Sequence, residues 1–124
     1  MKKDFILKAK TILQQAGPEF DCYHEATLSG GPQQELCAEL YYAKNDQYMT
    51  FTYTPEIAPC LDVLKDGSLC VEKDIINSYP KDKGLVHIAA QAYVGIKTKH
   101  GLCALLSPKP LSSSEKILKL LKDQ

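Results

Sequence analysis

The chain has 124 residues, 44% hydrophobic and 24% charged, with fifteen acidic side chains against fifteen basic ones. That length suits one domain with a real core, and the balanced charge removes the long-range field that draws proteins to nucleic acid or anionic lipid. Every basic residue is a lysine, so the rigid guanidinium fork that grips phosphates and guanine edges is missing, and neither nucleic acid nor a membrane is an expected partner.

The first ten residues interrupt their apolar stretch with Asp4, Lys8 and Lys10, a pattern of a mature cytoplasmic N-terminus rather than a signal peptide. No apolar run approaches the roughly 18 residues that a membrane-spanning helix needs. Over residues 4–16, Phe5, Ile6, Ala9, Ile12, Leu13 and Ala16 recur at spacings of three and four, which predicts an amphipathic helix stopped by Gly17 and Pro18. Residues 19–28 alternate instead: Phe20, Cys22, His24, Ala26 and Leu28 against Glu19, Asp21, Tyr23, Glu25 and Thr27. A period of two predicts a strand, broken by Ser29, Gly30, Gly31 and Pro32.

Residues 35–55 predict a hairpin across Lys44, Asn45, Asp46 and Gln47, with Ala43 opposite Tyr48. One face then carries Leu36, Ala38, Leu40 and Tyr42 with Met49, Phe51 and Tyr53. The other carries Glu35, Cys37, Glu39 and Tyr41 with Tyr48, Thr50, Thr52 and Thr54, a sorting that a slip by one would destroy. The competing reading starts a helix at Pro32 and runs it to Tyr42. Further on, residues 57–64 suit a short helix, Asp66-Gly67 a turn, residues 68–72 a brief strand, and Tyr79, Pro80 and Lys81 a surface connection. Residues 84–98 alternate again, with Val86, Ile88, Ala90, Ala92, Val94 and Ile96 on one side. A long strand bent near Gly95 is expected there, although the alanines also suit a helix. Lys99, His100 and Gly101 turn the chain back into residues 102–106. Ser112-Ser113-Ser114-Glu115 forms a capping box, and Ile117, Leu118, Leu120 and Leu121 give the stripe of a last helix.

This order predicts an α+β fold spanning residues 1–124 as a single domain: a single antiparallel β-sheet with the N- and C-terminal helices packed on one face. The order of sheet and helices is similar to that of bacterial secretion chaperones, which hold an effector protein as dimers. The stretch 96–123, in which Ile96, Thr98, Leu105 and the Ser112 cap lead into the final helix, resembles the end of profilins, which bind actin and polyproline. No site residue carries over from either family.

Five cysteines at irregular spacing, without a C-x-x-C pair, predict reduced and mostly buried thiols rather than a disulfide framework or a zinc ribbon. Cys22 and His24 face one way on their strand but fall two ligands short of a structural zinc site, and no nucleotide-loop pattern accompanies Gly30-Gly31 or Gly101. No metal or other cofactor is expected. His100 and Cys103, with Lys97 and Lys99 near them, are the first pair to test for thiol chemistry, but they span a turn and have no orienting third group. There remains the sheet face turned away from the helices, where the alternation places Tyr23, Tyr41, Tyr48 and Tyr93 together with His87 as candidate binding residues. Tyrosine joins large contact area to a polar tip and is enriched where proteins meet. The expected function is therefore a non-enzymatic protein-binding module, an adaptor, chaperone-like or inhibitor protein, that presents this face to a protein partner or to itself as a homodimer. The alternative is a small enzyme or ligand-binding domain whose helices and sheet enclose a pocket holding a Cys/His pair, with His24, His87 or Cys103 in it.

Overall fold

The computed structural model describes residues 2–28, 35–53 and 59–124. Helix α1 (Lys2–Ala16) leads into strands β1 (Cys22–Leu28), β2 (Leu36–Tyr42) and β3 (Gln47–Tyr53). Helix α2 (Cys60–Asp66), strand β4 (Ser68–Val71), and the short helices α3 (Ile75–Ser78) and α4 (Lys83–His87) follow. Strands β5 (Ala92–Lys97) and β6 (Gly101–Ser107) and helix α5 (Glu115–Lys122) complete the chain. The six strands form one antiparallel sheet in the order β3-β2-β1-β6-β5-β4. The α+β class, the antiparallel sheet and the pairing of the terminal helices on one face agree with the sequence reading.

Both faces are covered, however, giving three layers. On one face Phe5, Ala9, Ile12 and Leu13 of α1 and Ile117 and Leu121 of α5 pack against Tyr23, Tyr41, Val94, Ile96, Cys103 and Leu105. On the other, Cys60 and Val63 of α2, Ile75 of α3 and Leu85 of α4 cover Cys22, Ala26, Leu102, Ala104 and Leu106. This second layer follows from β5 and β6: the side chains of Val94, Ile96, Leu102, Cys103, Ala104, Leu105 and Leu106 are all buried, so these strands are apolar on both faces and need cover on both.

Three local expectations are corrected. The hairpin pairs Tyr41 with Tyr48, not Ala43 with Tyr48. Ala43–Asn45 instead forms a 3-10 turn closed by Asp46 in the left-handed region (φ 48), and the Ala43 N–H leaves the ladder to bond the Asp21 carbonyl at 2.7 Å. The slip is by two residues, which returns every side chain to its predicted face. The long strand over residues 84–98 is only half a strand. Its first part is α4, because Asp82 caps the amides of Gly84 and Leu85, and Ala89 (φ 52) then redirects the chain into β5. The Ser112 capping box is not formed: α5 starts at Glu115 with Ser114 at its N-cap and no side-chain cap bond. Residues 36–42 are strand, not helix. The Ser29, Gly30, Gly31 and Pro32 break, the start of that alternative helix at Pro32, and the positions of Thr54 and Ile57 lie outside the described residues.

Candidate functional site

The tyrosines anticipated as an open surface form the seat of α1. Phe5 stacks on Tyr23 with ring centroids 5.8 Å apart and meets Tyr48 edge-on at 5.7 Å. Lys2 lies 5.4 Å above the Tyr48 ring and Lys10 lies 5.8 Å from that of Tyr41. The phenol tips reach carboxylates at the rim: Tyr23 donates to Glu25 (2.6 Å), Tyr41 to Asp46 (2.5 Å) and Tyr48 to Glu39 (2.7 Å). Tyr23 and Tyr41 are buried, and Tyr48 is half-buried. A long amphipathic residue on a strand suits a helix seat as well as a partner, and the sequence holds nothing that separates the two.

Tyr93 does not join them. It pairs with Leu106 on the opposite face, beneath the second helical layer, where it is 2% exposed. Its ring leans over Gly95, where an added Cβ would stand 2.7 Å from Tyr93 Cε1. The Tyr93 hydroxyl is buried with no hydrogen-bond partner among the described residues. His87 is exposed at the end of α4, in that second layer, and shares no surface with Tyr23, Tyr41 or Tyr48. The five candidate residues thus fall into two layers and do not converge.

The histidine and cysteine pairings also separate. Cys103 is buried on β6, while His100 is exposed in the β5–β6 turn, and no hydrogen bond joins them among the described residues. Burial pushes the Cys103 thiol up to about 11, with Glu25 adding to the effect, so it is protonated at neutral pH. His24 faces the second layer, stacked 6.3 Å from Phe51 and 3.4 Å by Nε2 from the Tyr53 hydroxyl. That hydroxyl is in turn 2.6 Å from Cys60 Sγ. Burial lowers the His24 imidazole to about 4 and raises the Cys60 thiol to about 11, so this row is a chain of neutral groups and not an activated nucleophile. Among the described residues no three His, Cys, Asp or Glu side chains are placed to hold a metal ion.

The edges of the sheet differ sharply. The β4 edge is only four residues long, and just beyond it the Leu111 amide donates to the Glu72 carbonyl. The β3 edge runs for seven residues, and no described strand pairs with its outer side. Its sequence, Gln-Tyr-Met-Thr-Phe-Thr-Tyr, contains no charge and no proline, the two commonest devices that stop an edge from pairing. Thr50, Phe51 and Thr52 are exposed, Phe51 by 42%. The sequence signal was present in this uncharged run, but its position at an edge depends on strand order.

No helix among the described residues is long and apolar enough to cross a membrane. No family model, curated protein or solved structure matches the chain.

Proposed function

We propose that the chain is a non-enzymatic protein-binding module that pairs through the outer edge of β3, first of all with the same strand of a second copy. The observation that carries this reading is the seven-residue, charge-free edge in a chain whose composition is 24% charged. An edge strand offers a row of outward amides and carbonyls, and an extended segment added there gains main-chain hydrogen bonds, while alternate side chains supply selectivity.

A second copy fits because the strand is self-complementary about Thr50. Antiparallel pairing around a two-fold axis there sets Thr50 against Thr50, Met49 against Phe51 and Tyr48 against Thr52. Apolar side chains then meet on the His24 face and hydroxyl-bearing ones on the α1 face. No like charges meet. The protonated thiols of Cys60 and Cys103 and the neutral His24 support a binding rather than a catalytic role. We place the module in the cytoplasm, on the support of five free cysteines, two of them exposed.

Sedimentation equilibrium from micromolar to millimolar concentration tests the reading. The wild-type chain should dimerise, and Thr50→Lys should yield monomer whose unfolding midpoint matches that of wild type diluted below its dimerisation range, because two ammonium groups would face each other at the axis. A monomeric wild-type chain, or a Thr50→Lys protein that dimerises equally well, refutes pairing through this edge.

A further inference from the structure

We propose that the cleft at the β5–β6 turn binds a small organic phosphate. The cleft has a volume of about 440 Å³ and lies where the end of β1, the β5–β6 turn and the last turn of α5 meet. That volume is the size of ordinary small-molecule sites, too confined for a folded partner.

Its charge is one-sided. Lys8, Lys97, Lys99 and Lys122 line it, with Glu25 as the carboxylate among its lining side chains. Glu25 is already engaged: Lys8 Nζ stands 2.6 Å from its Oε2, and the Tyr23 hydroxyl donates to the same oxygen at 2.6 Å. Lys97, Lys99 and Lys122 form no ion pair among the described residues. In a chain of zero formal charge, three uncompensated ammonium groups around one concavity make a local positive field, which a multiply charged anion would relieve. Ammonium groups are compact point charges with three donors each, suited to the oxygens of a phosphate monoester dianion.

Ile96, Leu102, Leu121 and Tyr23 also border the cleft, but each is at most 8% exposed, so the apolar area they present is small. Free phosphate would fill only a small part of about 440 Å³, whereas an ester carrying an organic group would occupy the rest. The ligand chemistry is thus a phosphate monoester carried on an organic group, the phosphate at Lys97, Lys99 and Lys122 and the organic part in the remaining volume of the cleft. This site is separate from the β3 edge, and neither proposal depends on the other.

Two-dimensional amide NMR with phenyl phosphate as probe tests it, alongside inorganic phosphate and benzyl alcohol. Saturable shifts are expected at Thr27, the turn 98–101, Cys103 and Leu121, with binding roughly tenfold or more weaker for inorganic phosphate and no saturation with benzyl alcohol. The exposed triple variant Lys97→Gln, Lys99→Gln, Lys122→Gln should keep its amide spectrum outside the cleft and lose about tenfold or more in affinity, and salt should weaken wild-type binding. Non-saturable shifts scattered over all lysines, equal affinity for phenyl and inorganic phosphate, or an unchanged triple variant would each overturn the proposal. Affinity that follows benzyl alcohol would overturn it too, since the site would then be apolar only.

Discussion

Acidification should act on this fold through His24. The imidazole is 6% exposed, stacked on Phe51 and tilted against Tyr53, and burial depresses its pKa from 6.5 to about 4. The unfolded chain therefore binds a proton between these values that the folded chain refuses. Stability from this group is fully present above pH 6.5 and is lost as the pH falls towards 4, by about 2 kcal/mol at pH 5 and about 3 kcal/mol at pH 4. Asp21 works in the opposite direction: burial raises its carboxyl to about 6, so its contribution is present below pH 3.8 and lost as the pH rises through about 6. The two profiles overlap, and the wild-type curve alone does not isolate His24. The assay is urea unfolding from pH 8 to pH 4 for the wild type and for His24→Phe, which keeps an aromatic ring beside Phe51 while removing the titration. The stability of His24→Phe relative to wild type should rise by about 2 kcal/mol between pH 7.5 and pH 5. A difference that stays constant across this range would show that His24 takes up its proton without unfolding, and the buried, neutral imidazole would be refuted.

Tyr23→Ala should cost about 3 to 5 kcal/mol in denaturant unfolding, as for other buried aromatics, because it removes the ring on which Phe5 stacks. Tyr93→Phe should be neutral or stabilising by up to about 1 kcal/mol, since it deletes a buried hydroxyl that has no partner among the described residues. Gly101→Ala should destabilise by about 3 kcal/mol, because its Cβ would fall 1.9 Å from the Ala26 carbonyl oxygen; a thermal melt reads the loss directly. Ser112→Ala should leave the unfolding free energy within about 0.5 kcal/mol of wild type in a denaturant titration, because the exposed Ser112 caps no helix.

The sequence by itself determined the elements whose physics is local. The spacing of Phe5, Ala9, Ile12 and Leu13 marks α1 without reference to any other part of the chain, and the alternation of Leu36, Ala38 and Leu40 against Cys37, Glu39 and Tyr41 separates the two faces of β2. Face assignment survived a two-residue error in hairpin register because a strand has a period of two, so β2 and β3 kept their sorting although the turn differed. Residues 84–90 mark the limit of local patterning: Val86, Ile88 and Ala90 alternate as in a strand, yet the Asp82 cap and the packing of Leu85 make α4 there. Only tertiary structure decided which face meets which layer. Tyr23, Tyr41 and Tyr48 have the same alternation whether they meet solvent, a partner or α1, and what separates these outcomes is the docking of residues at least seven positions away in a different element. Strand order did the same for the rest. It put the charge-free β3 at an edge and brought Lys8, Lys97, Lys99 and Lys122 round one cleft, and such long-range juxtapositions are set by the sum of packing over the whole sheet, which no local window contains.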